Sequence, residues 1–300
     1  MSVTKKYFKT KIGTKLIYTF KSDVLFKMFF VKNPGLLKIL IAALLDIPVK
    51  RIKNFRLINT EMPPEEIGKK FCRLDISMKV DNRRINIEIQ IEDEGNYPER
   101  IIFYFAKTFA AALSSGDDYR NLPETIMISI LGFKQFDSPE VHSKFMVMEV
   151  NRHEILSTKQ CYHFFELPKL PPAGSPDVAT KKDMWLALLN AETEEELEQL
   201  TFKGGKVMAQ AVKAYRSVIA TEEFKYLEEL REKTRHNEAS ALGNAARRAK
   251  QQRDKYWTGV VADKDAALAA ERAALAAERA EKEKLLREIA AMRAEQKNRN

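Results

Sequence analysis

The segment RLDISMKVDNRRINIEIQ, Arg73 to Gln90, constrains the fold more than any other stretch of this chain. Leu74, Ile76, Met78 and Val80 alternate with Arg73, Asp75, Ser77 and Lys79, and Ile85, Ile87, Ile89 and Ile91 alternate with Asn86, Glu88, Gln90 and Glu92. A period of two is the signature of strands with one apolar face. Both apolar sets share a face only if the connecting loop has an even number of residues, because a one-residue slip turns one set outward. Asp81-Asn82 serves as a two-residue turn, since both residue types tolerate left-handed backbone angles. This register pairs Val80 with Arg83, Asp75 with Glu88 and Arg73 with Gln90. Opposed Cβ atoms lie about 4.5–5.5 Å apart, where like charges destabilise the pair. Asp75 and Glu88 therefore call for a raised pKa, a neighbouring cation or a bound divalent metal.

Upstream, Ser22 or Asp23 caps a helix whose Leu25, Phe26, Phe29 and Phe30 recur at helical spacing, and Asn33-Pro34-Gly35 interrupts it. A second helix, LLKILIAALLDI, closes at Pro48, and Ile52 to Ile58 reads as a strand. After the hairpin, Pro98 suits the first turn of a helix to about Leu113, with Gly116 as its stop. TIMISIL, Thr125 to Leu131, is apolar on both faces, as a strand covered on both sides requires, and KFMVMEV and CYHFFEL read as further strands. This order predicts an α/β (mixed α+β) layer fold.

Four prolines in LPKLPPAGSP, residues 167–176, mark a boundary. The expected division is a domain over 1–170, a helical region over 171–255 and an Ala/Glu/Arg-rich helical tail over 256–300. The tail repeats AALAAER at 266–272 and 273–279, a strongly helix-favouring composition. Leu268, Leu275 and Ile289 keep a seven-residue spacing that Lys282 interrupts, and the companion positions Glu271 and Glu278 are charged, so a solvated helix and a weak coiled coil joining a homo-oligomer both fit.

The formal charge of +9 is uneven: residues 1–60 hold thirteen Lys/Arg against Asp23 and Asp46, a balance of +11 that leaves −2 for the rest. Such a segment suits a polyanion, because neutralising phosphates releases counterions, and it also suits a merely soluble surface. Cys72 and Cys161 are too few and too far apart for a disulfide framework or a cysteine zinc site, and the four histidines show no metal-binding spacing. The longest apolar run, LLKILIAALL, is too short to span a bilayer, and the N-terminal lysines precede no apolar signal core. These features predict a cytoplasmic protein, nucleoid-associated in a bacterial host, with no membrane partner.

A hard cation such as Mg²⁺ takes oxygen ligands, often one or two carboxylates with water and phosphate, and two strand carboxylates meet that need. The competing reading is a solvated polar face on which the acids pair with Arg73, Lys79 or Arg84. The pattern of an Asp, about a dozen residues, then Glu-x-Lys on the next strand, flanked by helices, resembles the PD-(D/E)XK nuclease superfamily. More narrowly, SDVLFKMFF, RLDISMKV, INIEIQ, YPERIIFYFAKTFAAALSSGDDY and HFFELPKL resemble the PD-(D/E)XK family transposases, or recombination-promoting nucleases. The resemblance covers about residues 20–170 and continues more weakly to about 250.

It implies a restriction-endonuclease-like core with a helical C-terminal extension, and a metal-dependent DNA endonuclease acting in recombination or mobile-element activity. It also implies Asp75, Glu88 and the Ile89 carbonyl as ligands of Mg²⁺ or Mn²⁺. Gln90 stands where the superfamily has its lysine and supplies only amide dipoles, so a nuclease fold kept for DNA binding or assembly is the alternative. Arg100, Tyr104 and Lys107 share a helix face, the resemblance places the Arg and Tyr in the site region, and all three are candidate phosphate contacts together with Arg73. Otherwise they form an exposed stripe opposite Ile102, Phe105, Phe109 and Leu113. Asp23 is either a further acidic ligand or a helix cap. Glu166 and Lys169 match a family segment without an evident role.

Overall fold

The structure, a computed structural model, describes residues 13–58, 76–173 and 175–297. Asp75, Arg73 and Cys72 lie outside the described residues. Two helices open the chain, α1 (Asp23–Lys32) and α2 (Pro34–Leu44), and strands β1 (Phe55–Leu57), β2 (Ile76–Val80) and β3 (Arg83–Gln90) follow. Then come α3 (Tyr97–Ala110), β4 (Glu124–Leu131), β5 (His142–Met146) and β6 (Gln160–Glu166). Helices α4 (Lys181–Asn190), α5 (Glu194–Ile219) and α6 (Glu222–Lys297) complete the order, the mixed α/β architecture expected from the sequence.

Ser22 caps α1 by accepting from the Leu25 amide, as its residue type allows. Thr180 and Thr193 close capping boxes with Asp183 and Glu196 at the starts of α4 and α5. Gly205, at φ 57°, breaks the helical geometry within α5. The strand expected over Ile52–Ile58 is confined to Phe55–Leu57, because Val49–Arg51 forms a 3₁₀ turn just before it.

One six-stranded sheet runs in the order β1-β2-β3-β4-β6-β5. The β2–β3 hairpin has the expected register, Val80 opposite Arg83, and Asp81 adopts φ 52° in the turn. The pairing continues to Ile76 opposite Ile87, the last described pair. β3 pairs with β4 in parallel through the α3 crossover, and β4 pairs with β6 in parallel.

Alternation divides the sheet into two faces. Ile76, Met78, Val80, Ile85, Ile87, Ile126, Ile128, Ile130, Cys161 and Phe165 face one side, where α1, α2, α4, α5 and the start of α6 pack to form the main core. Phe29, Phe30, Trp185 and Tyr215 are fully buried there. The other side, covered by α3, holds a smaller aromatic cluster of Tyr97, Ile101, Phe105, Met127, Leu131, Tyr162 and Phe164.

The proline-rich stretch is no seam in the packing. Leu167, Ala173 and Val178 are buried in the main core with Trp185 and Leu200, because α4 and α5 supply the layer that covers the sheet. The compact unit runs to Thr234, and a second unit starts at Arg235. That second unit is helical, and its large apolar side chains Leu268, Leu275, Leu285 and Met292 are exposed. No helix among the described residues is long and apolar enough to cross a membrane.

Candidate active site

The polar positions of β3, Arg84, Asn86, Glu88 and Gln90, face the side of the sheet that α3 covers. In a hairpin with one solvated face they would meet water; here the parallel crossover lays a helix across them. With Pro98 in its first turn, α3 starts close to the end of β3, and that turn carries Tyr97 and Arg100 to the strand.

The Tyr97 phenol donates to Glu88 Oε1 and accepts from Ser129 Oγ at 2.7 Å. Ser129 stands directly beside Glu88 in the β3–β4 ladder. Burial, with the Glu88 charge adding to it, holds the phenol well above the usual tyrosine range, so Tyr97 remains a proton donor. Arg100 Nη2 donates to Gln90 Oε1 at 2.6 Å, and Nη1 donates to Glu94 Oε2 at 2.9 Å. Its guanidinium lies 4.8 Å from the Tyr97 ring centroid, a cation–π contact. Arg100 Nε is buried with no hydrogen-bond partner among the described residues. Gln90 Nε2 donates to the Glu92 carbonyl at 2.8 Å, so both ends of this amide are engaged.

The backbone at this end is set by close approach. Gly132 N donates to the Gln90 carbonyl at 2.8 Å. A Cβ at Gly132 would sit 2.9 Å from Ile91 Cα, which only glycine avoids. Since Gln90 bonds toward β4, strand alternation points the Ile89 carbonyl toward the β2 side, while the Ile89 side chain packs on the main core.

The structure thus brings Glu88, Gln90 and Arg100 together, and adds Tyr97 and Ser129. Tyr104 lies half-buried at the edge of the aromatic cluster, and Lys107 is exposed. The buried face of α3 is Tyr97, Ile101 and Phe105, and Ile102 is 55% exposed, so Arg100 and Tyr104 border the buried face instead of lying opposite it. Asp23 accepts from Arg231 in α6, and Ser22, not Asp23, is the cap of α1. Among the described residues no three His, Cys, Asp or Glu side chains form a metal-holding group.

Sequence reasoning passed over Tyr97 and Ser129. Ser129 did carry a signal, being a polar side chain inside a strand buried on both faces, where a hydroxyl needs a partner. Glu166 and Lys169 acquire a structural role: they pair at 2.6 Å, both side chains buried. Glu166 Oε1 accepts from the Gln135 and Phe136 amides, and Lys169 Nζ donates to the Phe136 carbonyl. Together they fasten the loop after β4 beside the aromatic cluster.

No curated protein and no solved structure matches the chain. A family model, that of the PD-(D/E)XK nuclease family transposases, matches residues 20–245, about three quarters of the 300 residues. The match runs from the residues before α1 into α6, taking in the hairpin, the α3 crossover and the helices that close the main core. By that extent of agreement, the chain belongs to the PD-(D/E)XK nuclease family transposases.

Proposed function

We propose that the chain is a metal-dependent DNA endonuclease that hydrolyses phosphodiester bonds in recombination or mobile-element activity. The observation that carries this reading is the fixed placement of Glu88, held by a Tyr97 hydroxyl that Ser129 also bonds, beside an arginine held by Gln90. Asp75, Glu88 and the Ile89 carbonyl would hold Mg²⁺ or Mn²⁺. All three offer oxygen, the donor that hard cations take, and Tyr97 uses only one of the two Glu88 oxygens. When bound, the ion would supply Lewis-acid polarisation of the scissile phosphodiester.

The protein's own groups do the rest. Tyr97 fixes the carboxylate orientation. Arg100 brings the positive charge that Gln90 lacks, on a guanidinium that Gln90 and Glu94 orient. Arg73, Tyr104 and Lys107 are further candidate contacts to the DNA backbone, as is the basic segment 1–60.

Mg²⁺-dependent nicking of plasmid by wild-type protein, set against Asp75→Ala and Glu88→Gln, tests this reading. Removal of either acid should abolish nicking, and equal cutting by all three proteins would refute it. The engaged amide of Gln90 favours one other reading, a nuclease fold that binds DNA without turnover. Calorimetry would then record DNA binding with no Mg²⁺ uptake that depends on Asp75 and Glu88.

A further inference from the structure

The strongest block of charge in the last helix lies beyond the family match. Residues 247–255 hold Arg247, Arg248, Lys250, Arg253 and Lys255 against Asp254 alone, a net +4 in nine residues. Further along, acids and bases interleave, as in the Glu283–Arg287 pair, so the block is not the helix's general composition. Arg247, Lys250, Arg253 and Trp257 follow one another at three, three and four residues, which puts them on one helical face. Like charges at that spacing repel, so the arrangement costs the helix stability unless an anion offsets it.

Two aromatic rings stand at the end of the block. Tyr256 is 65% exposed and Trp257 is 57% exposed, with ring centroids 5.6 Å apart at 76°. Edge-to-face packing of this kind leaves ring faces open to water. Lys250 has no ion-pair partner among the described residues, and Arg253 meets only its neighbour Asp254, at 3.2 Å in solvent. Exposed contacts of that kind are weak and give way to a phosphate.

We infer that the face Arg247–Lys250–Arg253–Trp257 binds single-stranded DNA, the bases contacting successive phosphates and Trp257 stacking on an unpaired base. Duplex DNA satisfies the charges but offers no free base face to the indole, and an acidic membrane offers no ring to stack on. This face belongs to the second unit and Glu88 to the first, and binding without metal reports on the face whether or not the chain cuts DNA.

The test is tryptophan emission of the full-length protein in EDTA, titrated with a short thymidine oligonucleotide at several salt concentrations. The chain has two tryptophans, of which Trp185 is 1% exposed, so quenching reports on Trp257. The triple variant Arg247→Glu, Lys250→Glu, Arg253→Glu should lose at least roughly tenfold in affinity, and the slope of log K against log salt should shrink by about 2. Reversing Arg248 and Lys255, which lie off this face, should cost less per charge. Trp257→Ala, read by the anisotropy of a fluorescently labelled oligonucleotide because its reporter ring is gone, should weaken single-strand binding and leave duplex binding unchanged.

All these side chains are exposed, so circular dichroism should show every variant helical. Unchanged affinity and slope in the triple variant, or equal loss per charge from the Arg248/Lys255 variant, would overturn the inference. So would duplex, RNA or phosphatidylserine vesicles quenching Trp257 more strongly than the thymidine strand does. A blue-shifted Trp257 contribution in the free protein would do the same, since it would mark a ring already buried against a second copy.

Discussion

The two faces of the sheet share the same strands and could hardly differ more. On the main-core face, isoleucines of β3 and β4 interlock with phenylalanines of α1, and Ile85, Ile87, Phe29 and Phe30 have no exposure at all. On the face beneath α3, Arg84, Asn86, Glu88 and Gln90 lie in a row. That side also carries every buried side-chain polar atom lacking a partner among the described residues: Arg84 Nε, Asn86 Oδ1, Arg100 Nε and Thr125 Oγ1. Each such group costs about 1–3 kcal/mol. The main-core face stabilises the fold, and the α3 face holds polar groups in place at the expense of stability.

That division predicts how substitutions separate. Phe29→Ala, which empties a ring site in the main core, should lower the unfolding free energy by about 3–5 kcal/mol in a urea titration. Metal and DNA binding by the fraction still folded should be unchanged. A loss below about 1 kcal/mol would show that the main core is not the chief source of stability.

A pH scan sharpens the same contrast, because a titratable histidine lies on the main-core face. His163 of β6 is buried beside Cys161, 3.2 Å from its sulfur, and bonds His142 at 2.9 Å. Burial, reinforced by His142, Lys144 and Lys182 and opposed by Asp46, pushes His163 down to about 4. The folded pKa lies below the unfolded value, so this stability is present above about pH 6.5 and is lost as pH falls toward 4. The expected loss over that window is on the order of 2 kcal/mol, and His163→Phe should flatten it. A flat wild-type profile would contradict it.

Much of the fold could be read from residue order alone. The hairpin register followed from two period-two patterns and an even turn, and the buried strand followed from TIMISIL. What escaped was the depth of the polar face. Alternation in β3 marks which residues share a side but not what covers it, and the cover comes from a helix that starts seven residues after the strand ends. For the same reason Ile102 reads as a buried position on α3 and proves exposed: helical periodicity leaves the angle of the stripe undetermined by a residue or so. Of the polar cluster proposed as the site, Glu88, Gln90 and Arg100 were legible. Ser129, which completes it, is 41 residues beyond Glu88 in sequence and adjacent only through the parallel register.

Gly132 sits at the exit of β4, where its amide ties the chain to Gln90. Gly132→Ala would force apart backbones that a Cβ meets at 2.9 Å, at a cost of about 1–2 kcal/mol. Unlike Phe29→Ala, it should also displace Gln90 and so reduce nicking in the folded protein. Full nicking by a destabilised Gly132→Ala protein would separate the Gly132 contact from the site.

The smallest expected change in stability tests the polar face most directly. Tyr97→Phe keeps the ring that packs at 6.1 Å against Phe133 and 6.3 Å against Phe164, and removes only the hydroxyl shared by Glu88 and Ser129. Apolar burial is retained, so thermal unfolding should shift by no more than about 1 kcal/mol. Glu88 would lose its donor and Ser129 its acceptor, so the carboxylate would no longer be held in one rotamer. Mn²⁺ affinity measured by calorimetry should fall about tenfold, with nicking falling in parallel at limiting metal and recovering at high metal. Were Tyr97→Phe instead to unfold the protein and leave Mn²⁺ affinity untouched, the aromatic cluster under α3 would be a second core like the first.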